Sequence, residues 1–189
     1  MTAPDDGPKP FRIRKATPGD AAAIEGLIAR SARRLGAGDY SPAQIEGALS
    51  GAFGLDTQLI EDGTYFVVEE DRRLAGCGGW SYRRTLFGGD AEGGRNPESL
   101  DPARDAAKIR AFFVDPPFAR RGIGTAILER CEREAWNAGF HRAELMATLA
   151  GARLYAARGY IAGETILYPL GEGLTIPFLP MTKRLRPRE

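Results

Sequence analysis

The chain has 189 residues, 43% apolar and 27% charged, the balance of a folded globular protein rather than a disordered one. Its 26 basic and 25 acidic residues nearly cancel, so no overall field recruits nucleic acid or an anionic membrane, and any anion site must be local. One histidine, His141, and two cysteines in apolar surroundings, Cys77 and Cys131, exclude a disulfide framework and a histidine-rich metal site.

Met1 to Pro10 is polar and proline-rich, with no apolar signal core, and no apolar run approaches the roughly 20 residues of a membrane span. A cytoplasmic chain is expected. The expected organisation is a flexible segment at 1–10, one domain at 11–185 containing a long loop at 84–107, and a tail at 186–189. Phe11 to Arg14 alternates apolar and charged residues and predicts a short strand. Thr17-Pro18-Gly19-Asp20 supplies a turn, and from Ala21 the apolar spacing is helical until Gly36, Gly38 and Asp39. Ser41-Pro42 restarts a helix that ends near Gly51, with a capping hydroxyl followed by proline in the first turn.

Thr64 to Glu69 and Leu74 to Tyr82 read as two strands joined by a polar turn. Gly76, Gly78 and Gly79 in the second mark a bulge or a close backbone approach. The Gly-, Asp- and Pro-rich stretch from Thr85 to Ala107 has the length of a functional or a disordered loop. Lys108 to Val114 is a strand, and a helix opening at Arg121-Gly122-Ile123-Gly124 carries apolar residues along one face to a stop at Gly139. Ala143 to Ala147 is a strand, Gly151 to Arg158 a helix, and Thr165 to Leu170 with Phe178 to Lys183 a terminal strand pair.

A strand running into Gly-x-Gly at a helix start gathers unpaired backbone N–H groups around one point, where the helix dipole favours an anion. Gly122 and Gly124 have no Cβ to hold a phosphate away, and Arg120 and Arg121 add charge at the rim, so the stretch suits a pyrophosphate. A tight structural turn is the alternative. No lysine follows the glycines as a Walker A loop requires, and Ile127 stands where a dinucleotide fingerprint has its third glycine.

The stretch from Phe113 to Leu128, centred on Arg120-Arg121-Gly122-Ile123-Gly124-Thr125, resembles the acetyl-CoA motif of the GNAT N-acetyltransferase superfamily. Leu154 to Tyr160 resembles that family's later Tyr-x-x-x-Gly-Phe/Tyr segment. The resemblance covers the chain from about Phe11 to Leu185 and implies an α/β fold of the α+β kind. Its central sheet would be mostly antiparallel and twisted, with helices on both faces and a splayed parallel strand pair. It implies acetyl-CoA as cosubstrate, no metal, and transfer of the acetyl group to a primary amine of a small molecule or peptide. Phe112, Phe113 and Val114 would meet the pantetheine, the main chain of Arg120, Arg121, Gly122, Ile123, Gly124 and Thr125 would hold the pyrophosphate, and Tyr155 would protonate the leaving thiolate. Direct attack in a ternary complex needs no covalent intermediate, which agrees with the lack of a Cys-His or Ser-His arrangement.

The pattern is not complete. Ala119 stands where the family usually has Gln or Arg, and the Asn common before the tyrosine helix is replaced by Thr148, Leu149 and Ala150, Thr148 being a partial substitute. Glu144 is the candidate base, although alternation along its strand allows it to face either the slot or solvent. Glu69, Glu70 and Asp115 read as surface charges, Trp80, Tyr82, Phe87 and the long loop as candidates for the acceptor pocket, and Arg83 and Arg84 as candidates for an anionic acceptor. The competing function is a catalytically silent acetyl-CoA sensor. Oligomeric state stays open, a homodimer being the commonest assembly of soluble oligomers.

Overall fold

The computed structural model describes residues 11–92 and 96–187; the expected N-terminal segment and the last two residues of the tail lie outside them. The chain starts with strand β1 (Arg12–Lys15), then a 3-10 turn and helix α1 (Ala21–Leu35), where Ile24, Leu27 and Ile28 give one buried stripe. Helix α2 (Pro42–Leu49) begins as its sequence requires: the Ser41 hydroxyl accepts from the Gln44 amide while the Gln44 side chain accepts from the Ser41 amide. A five-residue helix, α3 (Thr57–Glu61), follows, capped by Asp56. Its one turn is too short for apolar periodicity to reveal, and the sequence reading has no element there.

Strands β2 (Tyr65–Glu70) and β3 (Arg73–Ser81) form a hairpin, and β4 (Ala107–Val114) lies on the other side of β3. Helix α4 (Ile123–Asn137), strand β5 (Arg142–Ala147) and helix α5 (Leu149–Ala157) come next. Short β6 (Ile161–Ala162), then β7 (Ile166–Gly171) and β8 (Leu174–Arg184), complete the chain. The sheet runs β1-β2-β3-β4-β5-β8-β6, with β7 paired to β8. Every pairing is antiparallel except β4 with β5. The expected mixed fold is therefore present, with α3 and β6 added to the predicted order.

Each face of the sheet carries its own core. On one, Ile123, Ile127, Leu128 and Cys131 of α4 pack with Phe66, Val68 and Leu145; on the other, Ile24, Leu27 and Ile28 of α1 pack with Ile45, Leu59 and Val67. Cys77 and Cys131 are buried free thiols, one in each core, as their apolar surroundings predict. The glycines of β3 are where other elements come closest. A Cβ on Gly76 would lie 2.6 Å from Ile123 Cγ2, and one on Gly78 would lie 2.7 Å from the Phe112 ring. Among the described residues, no helix is long and apolar enough to cross a membrane.

The long loop is neither a strand nor a free excursion. The Gly89 amide donates to Gly51 (3.1 Å) and that of Asp90 to Leu55 (2.8 Å), while the Asp90 carboxylate caps the Thr57 amide (3.0 Å). Its returning half pairs with its first half through Thr85 to Asn96 (3.1 Å) and Leu100 to Tyr82 (2.7 Å). The segment after β3 is thus pinned over the ends of α2 and α3.

Candidate active site

The parallel pair β4–β5 is in register for three residue pairs only: Ala107 with Ala143, Lys108 with Glu144, and Ile109 with Leu145. Beyond Ile109 no ladder joins the strands, although β4 continues to Val114 and β5 to Ala147. The divergence begins at a bulge. Ala111 has φ +55°, unusual for a residue with a Cβ, and the register of β3 shifts opposite it. The Tyr65 hydroxyl donates to the Ala111 carbonyl at 3.1 Å from the buried side, fixing the bulge from beneath.

A cavity of about 90 Å³ occupies the opening. Ile109, Phe112 and Met146 line it from the diverging strands, Thr148, Gly151 and Tyr155 from α5 and its cap, and Phe53, Gly54, Leu86, Phe87, Gly88 and Phe178 complete the lining. Tyr155 stands in this wall with its ring edge-on to Phe112 (6.1 Å) and Tyr160 (5.7 Å), and its hydroxyl bonds to no described residue. Burial pushes the phenol well above its ordinary value, so it keeps its proton at neutral pH. Thr148 caps α5, its hydroxyl accepting from the Gly151 amide at 3.1 Å. The Tyr40 hydroxyl completes that corner: it accepts from the Leu149 amide and donates to the Pro177 carbonyl, both at 2.9 Å.

At the mouth, β4 runs through Pro116–Phe118 into α4. Arg120 (φ +65°) and Gly122 (φ +81°) are both left-handed, turning the chain so that α4 starts without a side-chain cap. Among the described residues, none accepts from the amides of Gly122, Ile123, Gly124 or Thr125; the first amide engaged is that of Ala126, to the Gly122 carbonyl at 3.0 Å. A Cβ on Gly124 would meet Leu154 at 3.0 Å, so this glycine lets α4 approach α5. Arg121 is drawn to the Glu70 carboxylate (2.6 Å) and over the Phe118 ring, away from the helix start. Arg158 leans in instead, reaching the Thr125 hydroxyl at 3.4 Å.

Other sequence expectations fall elsewhere. Glu144 lies in the paired part of β4–β5, bonded to the Lys108 ammonium, and does not line the slot. Asp115 is not a surface charge: it is 1% exposed and held by Arg30 at 3.0 Å. Glu69 is bound by Arg14, which also holds Asp20 far below the usual carboxylate range. Trp80 is core, packed on Phe140; Arg83 is committed to Asp62 and Arg84 to Glu98. Of the acceptor candidates, Phe87 and its loop neighbours line the slot. Phe53, Phe178 and Arg110 line it too, and nothing local in the sequence distinguishes them from core or strand residues. Exposed His141 meets the Trp136 ring edge-on.

The model of the acetyltransferase (GNAT) family matches residues 38–160, which span the bulged strand, the glycine turn and the Tyr155 helix. The chain belongs to the GNAT family. The matched model is that of an acetyltransferase family. Among solved structures it is similar to a GCN5-related N-acetyltransferase from Rhodopseudomonas palustris, at 22% identity over 92% of this chain and 95% of that one, with a TM-score of 0.68. The PaiA N-acetyltransferase from Thermoplasma acidophilum, in complex with coenzyme A, gives 15% identity, coverage of 92% and 98%, and a TM-score of 0.62. The protein yncA from Salmonella typhimurium, with its cofactor acetyl-CoA, gives 17%, 95% and 96%, and 0.62. Comparison with curated proteins gave no match. At these identities the structural likenesses establish the fold.

Proposed function

We propose that this GNAT chain acetylates a primary amine by direct transfer, with the cosubstrate held along the unpaired edge of β4 and its pyrophosphate on the start of α4. The reading rests on one juxtaposition: an unpaired stretch of β4 that lines the slot with the Tyr155 phenol, and unoccupied amides at Gly122 to Thr125 where the chain runs on from that strand into α4. When bound, acetyl-CoA supplies an acetyl group activated as a thioester.

The residues divide the work. The main chain of Phe112 to Val114 offers hydrogen-bonding groups where a sheet neighbour is missing, and orients an extended ligand as a strand would. The amides at the α4 start, with Arg120 and Arg158 nearby, bind negative charge through the helix dipole and direct hydrogen bonds. Tyr155 holds a proton at its hydroxyl for the sulfur that leaves. Apolar walls at Phe112, Met146 and Phe178 keep water out. Glu144 has no part, being neutralised by Lys108 away from the slot. The described lining offers no carboxylate or imidazole as a base, so the amine releases its proton to solvent before it enters.

That same lack of a base favours the second reading, a silent sensor of acetyl-CoA. The two separate in one experiment: titrate wild type and Tyr155→Phe with CoA by calorimetry, and assay acetyl transfer to a panel of amines. We expect equal CoA affinity and a loss of kcat of about 10²–10⁴-fold in the variant. Tight CoA binding with no transfer to any amine would select the sensor; unchanged turnover in Tyr155→Phe would remove the phenol from the mechanism.

A further inference from the structure

Part of the slot has a distinct chemistry. Phe53, Phe87 and Phe178 form a linked aromatic group, with Phe53–Phe178 and Phe87–Phe178 centroids both 5.9 Å apart, and Leu86 and Met146 fill beside it. Phe113 closes edge-on against Phe53, also at 5.9 Å. Among the described lining residues the only charged one is Arg110. Its guanidinium is committed: it meets the Asp56 carboxylate at 2.5 Å and donates to the Gly88 carbonyl at 2.7 Å, with both charged side chains almost wholly buried.

We propose, building on the acetyltransferase reading above, that the acceptor is a small primary amine with an apolar body and no anionic group. Size enters first. At about 90 Å³ the cavity is far below the roughly 300–1,000 Å³ usual for ligand pockets, so little beyond the amine and a short alkyl chain or part of a ring is enclosed. Charge decides the rest. A carboxylate or phosphate on the acceptor would be desolvated against aromatic faces, which carry partial negative charge and so repel it. To pair with Arg110 it would have to displace Asp56, stranding that aspartate in a fully buried position. Arg83 and Arg84, which the sequence offered for an anionic acceptor, lie outside the lining and are held by Asp62 and Glu98. The uncharged amine, having left its proton in solvent, meets no such penalty.

The test uses matched acceptors that differ in one carboxylate: butylamine against 4-aminobutanoate, and benzylamine against 4-(aminomethyl)benzoate. With the full chain and acetyl-CoA, the neutral-bodied member of each pair has the higher kcat/KM by at least about tenfold. Phe87→Ala raises KM for benzylamine while calorimetric CoA affinity stays unchanged, and benzylamine raises the melting temperature of the CoA-loaded wild type, whereas 4-(aminomethyl)benzoate does not. Equal or faster acetylation of the carboxylate members, or transfer confined to peptide N-termini, overturns the assignment and leaves the acetyltransferase reading standing. No transfer to any amine despite tight CoA binding overturns both.

Discussion

Tyr155 owes its proposed role to what surrounds it. A phenol in water titrates near 10, and burial among Phe112, Tyr160 and the α5 backbone moves this one higher because the phenolate has nothing to solvate it. The acidic form is the one required, and a raised value preserves that form as pH increases. Turnover is therefore expected to rise with pH as the acceptor amine loses its proton, and not to decline below about pH 10. A pH profile of kcat checks this; a descending limb between pH 7 and 9 would mean that some other group supplies the proton. Ala111 illustrates a residue whose importance no local signal betrays. Its left-handed backbone is unfavourable for alanine, and the Tyr65 hydroxyl that holds it comes from a strand 46 residues away in sequence.

Among the elements, the junction of β4 and α4 was the most legible. Gly122 adopts φ +81°, which a residue without a Cβ tolerates, and the helix behind it runs to the predicted stop, where Gly139 has φ +94°. Gly122→Ala meets no steric obstacle outside the backbone, so its cost is conformational, about 1–2 kcal/mol. If the chain relieves that strain by shifting the turn, the α4 amides move apart, and CoA affinity measured by calorimetry should fall with modest loss of stability. The same junction shows what reading along a chain misses. Arg121 looked equivalent to Arg120, but Glu70 and Phe118 pull it aside, and Arg158 takes its place from a helix that only tertiary packing brings near. Helix α3 escaped because five residues give no periodicity, and Glu144 was ambiguous because alternation along a strand does not say which neighbour holds the outward side chain.

Taken whole, the molecule is two apolar cores separated by a sheet, and the Arg110–Asp56 pair ties the sheet to the loops that cover it. Arg110 comes from β4, Asp56 from the cap of α3, and Gly88 from the segment after β3. Removing one partner leaves a buried charge, so Arg110→Met should cost about 3–5 kcal/mol in chemical denaturation. Arg110→Met with Asp56→Leu should recover most of that, apart from the α3 cap, worth about 1 kcal/mol. A double variant no more stable than the single one would mean that the pair is not the joint it resembles. The general architecture is readable because long amphipathic helices and β-rich runs announce themselves; this joint is not, since Asp56, Gly88 and Arg110 lie far apart in the sequence.

The bulge at Ala111 has a consequence for the protein before substrate arrives. Most sheets keep their raw edges at the periphery, where charges and loops guard them. Here a second edge lies in the interior, along β4 beyond Ile109, and in the proposed reaction the substrate serves as the absent strand. Amide hydrogens there should exchange quickly in the free protein and slowly once CoA is added, and the melting temperature should climb with ligand concentration as mass action requires. The ligand-free protein is then also the form with the open internal edge, and bound ligand protects that edge by stabilising the native state.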